Sequence, residues 1–269
     1  MSRRKKEEIK EEITYPRIIM GLDVSTVCIG VSIIADFGDG KPEILKITHV
    51  SPKVSSKIKG IKVLLLRKSI FENEFLKTLV DTGITDVVIE EPLLSSNNSY
   101  TVATLLRFNG MICDSVYNVL GIVPNFISSY DARTYSFPEL LSIRKFNKKG
   151  EEFSLPQIKK ALKDSHVVLF GSYPYDIDKK SVMLNKVNEV YPNIDWIQNK
   201  DGEIKKENYD ACDSLVCALA YVNINRYGAE KPVVTGSMIQ QGNDGKTLIT
   251  YTMSIWKENY EKTLILNYQ

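Results

Sequence analysis

Apolar, small and β-branched residues fill almost every position of RIIMGLDVSTVCIGVSIIAD, from Arg17 to Asp36, and one carboxylate, Asp23, interrupts the run midway. The pattern predicts a buried strand over 17–24, a short turn at VSTV, and a second strand over 28–36. PEILKITHVS then alternates apolar and polar residues as a half-buried strand does, so three strands with short links make an antiparallel meander. IKVLLLRKSIFENEFLKTLVDTG carries apolar residues at helical spacing, with Gly83 as its stop. TDVVIEEPL reads as a strand ended by Pro92, SYTVATLLRFNGMICDSVYNVLG as a helix in spite of Gly110, and IVPNFISS as a fifth strand.

The pattern loses its regularity over 134–207, where Lys, Asp, Pro and Gly punctuate the chain. Two helical pieces stand out there, LPQIKKALKD and DKKSVMLNKVNEVYP. KENYDACDSLVCALAYVNINRYG follows as a helix apolar on almost every side from Leu215 to Val222, the mark of an element packed under others. In the last forty residues NDGK separates two β-rich runs, a hairpin signal. The order β-β-β-α-β-α-β and a late helix predicts a mixed five-stranded sheet flanked by helices. The expected division is a charged tail (1–16), a main domain (17–227) with an insertion at about 134–178, and a C-terminal β-hairpin extension (228–269).

Composition narrows the chemistry. The 269 residues are 43% hydrophobic, and 35 Lys and Arg against 33 Asp and Glu leave a net charge of +2, so any basic surface is local. No stretch reaches the roughly 18 apolar residues of a membrane span. MSRRKKEEIKEEIT has no apolar run, so it is not a signal peptide; it reads as a charged tail, with a basic arm of Arg3, Arg4, Lys5 and Lys6 as the alternative. Cys28, Cys113, Cys212 and Cys217 lie in apolar stretches without metal spacing, which suits reduced thiols in a cytoplasmic protein. Only His49 and His166 are present, which disfavours a two-histidine nuclease site or a histidine metal cage and leaves carboxylates as the catalytic candidates.

Those carboxylates stand where apolar elements end. Asp23 follows the first strand's apolar run, Glu90 closes DVVIE, and Asp210 and Asp213 open the most apolar helix. Residues three apart share a helix face, so Asp210 and Asp213 lie side by side. The helix dipole favours each by only about 0.3–1 kcal/mol, while like charges within ~4–6 Å oppose ionisation. A divalent cation with hard oxygen ligands, Mg²⁺ or Mn²⁺, resolves the conflict. Taken singly, Asp210 and Asp213 could be capping residues, Asp23 could close the VSTV turn, and Glu90 or Glu91 could pair with a surface lysine.

On these residues the chain resembles the RuvC family of Holliday-junction resolvases, within the RNase H-like superfamily. GLDVSTVCIGVSI is similar to that family's first strand and hairpin, VVIEEP to the strand ending in its second acid, and YDACDSLVCALAY to its D-A-x-D-A-L helix. LLRFNGMICDSVYNVLGIVPNFISSYDAR, with Ala132 and Arg133, and DKKSVMLNKVNEVYP, which is like an E-K-S-x-V segment, extend the likeness over roughly 17–133 and 179–227. Ser214 departs from the usual alanine, 134–178 is longer and more irregular than that family's average, and 229–269 has no counterpart.

The resemblance implies an RNase H-like fold, with Asp23, Glu90, Asp210 and Asp213 as ligands of two Mg²⁺ ions, for which Mn²⁺ can substitute. Lys180, or Lys179 beside it, would approach the scissile phosphate. The implied activity is paired hydrolysis of branched DNA such as a four-way junction, leaving 5′-phosphates, by a homodimer. Arg107, Phe108, Tyr130, Arg133 and Lys179 are the candidate DNA contacts, Phe108 having core packing as its alternative. Ser25 and Thr26 either touch a phosphate or cap the turn. Three other readings stay open: a relative acting on flap DNA or structured RNA, a catalytically silent DNA-structure binder, and an actin-like ATP-binding kinase or ATPase. For the last, DVST lacks the glycine of a D-x-G-T phosphate loop.

Overall fold

A computed structural model describes residues 16–92, 98–165, 168–169 and 178–267. The basic arm at Arg3–Lys6 and His166 lie outside the described residues. Strands β1 (Arg17–Val24), β2 (Ile29–Asp36) and β3 (Glu43–Val50) form the meander expected from the sequence. After α1 (Ile61–Glu74), β4 (Asp86–Glu90) adds parallel to β1. After α2 (Ser99–Leu120), β5 (Asn125–Ile127) adds parallel to β4, which completes a five-stranded sheet of order β3-β2-β1-β4-β5. This sheet with its flanking helices is the mixed five-stranded α/β architecture expected from the sequence.

Alternation along β1 sorts its side chains between two cores. Met20, Leu22 and Val24 join Phe71, Phe75, Phe108, Ile112 and Val116 beneath α1 and α2. Ile19 faces the other way, onto α6 (Glu207–Tyr227) with α3 (Ser129–Ser136) and α5 (Lys179–Val190). Helix α6 is buried almost all round, as its composition requires, and Gly228 follows it at φ 90°.

Two glycines set how closely α6 lies on the sheet. A Cβ on Gly21 would stand 2.1 Å from the Ser214 carbonyl oxygen, and one on Gly30 would stand 1.9 Å from that of Asp210. Gly30 pairs with Asp23 across β1 and β2. The absence of side chains at these two points brings the α6 backbone directly over the strand that carries Asp23.

Two expectations are corrected. Helix α1 ends at Glu74, well before Gly83, and the chain tightens into a 3₁₀ turn over Leu76–Leu79. The hydroxyls of Thr78 and Thr82 donate to the Phe75 and Leu79 carbonyls at 2.6 and 2.7 Å and compete there with the helical ladder. Phe108 is 1% exposed inside the α1–α2 core, so the aromatic ring expected as a DNA contact is a packing residue.

The segments that were hardest to place fold together. Strands β6 (Leu141–Ser142) and β7 (Val168–Leu169) pair around α4 (Leu155–Lys163). The C-terminal hairpin β8 (Val233–Gln241) and β9 (Lys246–Ile255) gains a third strand, β10 (Glu258–Asn267). Ile143, Ile158 and Leu162 share one hydrophobic cluster with Ile249, Met253, Leu264 and Leu266, and the Ile143 amide donates to the buried Tyr251 hydroxyl at 2.8 Å.

Candidate metal centre

The acids meet because of where their elements end. In the parallel pair Leu22 lies opposite Ile89, so Asp23 and Glu90 leave neighbouring strands at the same carboxyl end, the edge where open α/β sheets place ligands. Gly21 and Gly30 let α6 descend over that edge and present Asp213 from above. One carboxylate oxygen from each of Asp23, Glu90 and Asp213 lies within 4.8 Å of the others. Asp213 is 5% exposed.

Asp210 does not join this triad. Its carboxylate faces Lys180, whose Nζ stands 3.4 Å from Asp210 Oδ1 and 3.2 Å from Asp213 Oδ2. The lysine is an internal counter-ion between the two acids of α6. Its position is set by the start of α5: Asp178 caps that helix by accepting from the Lys180 amide at 3.0 Å, and Ser181 Oγ lies 3.1 Å from Tyr209 Oη on α6.

The electrostatics follow from this crowding. Burial, then the neighbouring Glu90 and Asp213 charges, raises Asp23 well above the carboxylate range. Burial and Asp213 push Glu90 up to about 7, against the opposing pull of Arg133 and Lys180. Burial also raises Asp213, with Lys180 and then Arg133 offsetting part of the cost. Burial alone would lower Lys180, but Asp213, Asp210 and Asp23 outweigh it and raise its pKa. One buried and two half-buried carboxylates that resist ionising together, with hard oxygen donors converging, fit a divalent cation of the Mg²⁺ or Mn²⁺ type.

Of the other expected contacts, Arg133 is half-buried on α3, close enough to hold down the pKa of Glu90 and Asp213. Tyr130 on the same helix is 45% exposed. Lys179 is lowered by burial and by the cations Arg133 and Arg144 beside it. Arg144, between β6 and α4, had no signal in the sequence: it sits among ordinary polar residues with no motif around it. Arg107 is exposed on α2. Ser25 is the cap of the β1–β2 turn: its hydroxyl accepts from the Cys28 amide at 3.0 Å and donates to the Cys28 carbonyl at 2.8 Å. The four cysteines are unpaired, and Cys217 Sγ lies 4.0 Å from Glu90 Oε2.

No family model and no curated protein matches the chain. Among solved structures, the Thermus thermophilus RuvC in complex with a Holliday junction substrate is 15% identical, at TM-score 0.49 over 81% of this chain and 99% of that one. The yeast mitochondrial Holliday junction resolvase Ydc2 is 14% identical, at TM-score 0.43 over 81% of this chain and 85% of that one. The Ppx/GppA family member of Aquifex aeolicus is 10% identical, at TM-score 0.32 over 94% of this chain and 51% of that one. At these scores the likenesses add no argument of their own, and the fold rests on the strand order and on α6 lying across it. Among the described residues, no helix is long and apolar enough to cross a membrane.

Proposed function

We propose that this chain is a metal-dependent endonuclease of the resolvase type, which cuts four-way or otherwise branched DNA by paired phosphodiester hydrolysis and leaves 5′-phosphates. The observation that carries the reading is the convergence of Asp23, Glu90 and Asp213 at the sheet's carboxyl edge, three acids from stretches as far apart as β1, β4 and α6. The motif resemblance supports the substrate class. Mg²⁺ is the proposed cofactor, two ions per site with Mn²⁺ as a substitute. When bound, the metal supplies positive charge that activates a water and offsets charge on the phosphate.

The chain's own residues do the rest. Asp23, Glu90 and Asp213 would hold the cation. Lys180 balances Asp210 and Asp213 at rest. As a phosphate enters, its ammonium donates to a phosphate oxygen and stabilises the charge that develops there, freeing Asp210 as a further ligand. Arg133 and Lys179 present positive charge to the strand beside the acids, with Tyr130 and Arg107 as further contacts. Paired nicks require two such sites, so a two-fold homodimer is proposed. Unpaired thiols suit a cytoplasmic location. Residues 17–227 form the proposed nuclease domain, with the insertion at 134–178 and the extension at 228–269 as an accessory lobe.

The test offers a synthetic four-way junction, a linear duplex, a flap and an RNA–DNA hybrid, each with Mg²⁺, Mn²⁺ or EDTA. Junction cleavage that needs metal, disappears in Asp23→Asn and leaves junction binding intact is the expected result. Cleavage that survives Asp23→Asn overturns the site assignment.

A further inference from the structure

A second polar cleft opens beside the acid centre, on the α1–α2 side of the sheet. It has a volume of about 240 Å³ and is lined by Thr26, Arg67, Tyr100, Thr104 and Arg107 together with the first turn of α1. Thr26 follows Asp23 by three residues, so their Cα atoms lie within about 11 Å of each other at 3.8 Å per peptide link. The cleft therefore adjoins the acids through the β1–β2 turn.

Its charge is unbalanced. Arg67 and Arg107 come from different helices to one cleft, and among the described residues neither makes an ion pair with a carboxylate. Arg67 donates through Nη1 to the Thr26 carbonyl, which fixes its guanidinium against the turn, while its buried Nε has no hydrogen-bond partner. A planar fork held in place with donors unspent is suited to an oxyanion. Helix α1 begins here at Gly60 with no side-chain cap, so its first amides and the positive end of its dipole add to the same preference. The volume is below that of pockets for drug-sized ligands and is suited to one phosphate group with its waters.

We propose that Arg67 and Arg107 clamp a backbone phosphate of the bound nucleic-acid strand, one neighbouring the phosphate at Asp23, Glu90 and Asp213, and so set the register in which that strand enters the acid centre. This inference rests on the nucleic-acid reading above and names a contact within it. Arg107 was expected to touch DNA, whereas Arg67, inside an apolar helical run, gave no sign in the sequence of doing so.

The experiment measures binding of a fluorescent four-way junction and of a fluorescent single strand by anisotropy in EDTA, across a KCl series, with cleavage in Mg²⁺ followed separately. Arg107→Gln is exposed and folds normally; it is expected to weaken binding of both probes about tenfold and to reduce the log–log salt slope by about one. Arg67→Lys keeps the charge and loses the fork, so it is expected to keep the slope, weaken binding several-fold and spread the cut positions over neighbouring phosphates. Wild-type affinity, slope and cut positions in both variants would overturn the clamp and leave the nuclease reading standing. If the wild type binds nucleic acid but cuts none of the substrates, the nuclease reading falls and the clamp is still judged by the two slopes. If the wild type binds no nucleic acid, both fall.

Discussion

The body around α6 and the lobe built from α4 and the C-terminal sheet hold themselves together by different means. In the body, Gly21 and Gly30 remove side chains so that one helix backbone can rest on the sheet, and the close contact pushes buried carboxylates toward each other. In the lobe, Ile143, Leu162, Met253 and Leu264 fill an ordinary apolar cluster with no acid in it. The body accepts an electrostatic penalty where its three acids meet, and the apolar cluster of the lobe contains no carboxylate. Strain concentrated at one edge of an otherwise apolar sheet is the physical signature of a functional site.

That contrast can be broken most severely at Gly30. Gly30→Ala forces a Cβ into the Asp210 carbonyl, where nothing flexible can yield. A loss of at least about 3 kcal/mol in a denaturant titration is expected, together with loss of metal binding by calorimetry. In the lobe, Met253→Ala should cost about 2–5 kcal/mol by the same titration while leaving metal affinity unchanged. Equal damage to metal binding from both changes would erase the distinction between the two regions.

A pH series sharpens it further. Glu90 is raised from its ordinary 4.5 to about 7, so the folded metal-free protein holds more protons than the unfolded chain across that interval. Its stability should therefore fall as pH rises from about 4.5 to about 7, the reverse of an ordinary salt-bridged carboxylate. Thermal melts with saturating Mg²⁺ should lose this slope, and Glu90→Gln should make it shallower without metal, the raised Asp23 and Asp213 supplying the rest. The smallest effect is in the turn between β9 and β10, where Trp256 and Lys257 sit at φ 51° and 70°. Lys257→Gly removes a left-handed penalty and should stabilise the lobe by up to about 1 kcal/mol, with cleavage unchanged.

How far each region could be read from its residues follows from the range of the contacts that define it. β1 begins and ends at the residues its apolar run marks, β4 ends at Glu90 as DVVIE suggests, and α6 is helical across its whole apolar stretch. These elements declare themselves through local period and composition. Strand β10 did not, because its turn uses Trp256 and Lys257 where a hairpin usually shows Gly or Asn. Trp256 holds that conformation through distant partners: its ring lies 5.6 Å from Tyr135 and 5.3 Å from Tyr227, and its Nε1 donates to the Gly228 carbonyl at 2.8 Å. The brief strands β6 and β7 are likewise products of pairing across the segment that holds α4, with no pattern of their own. At the acid centre the residue types were visible in the motifs. The separation of Asp210 from the triad was not, since it depends on where Lys180 reaches from another helix.

The Trp256 ring also fixes a length. It is seated at the far end of α6 from the acids, and the helix rises about 21 Å between Asp213 and Tyr227 at 1.5 Å per residue. Helix α6 is thus a stiff rod, braced at one end by the turn of the C-terminal sheet and carrying Asp213 near the other, so that a shift of that turn would be carried to the acids.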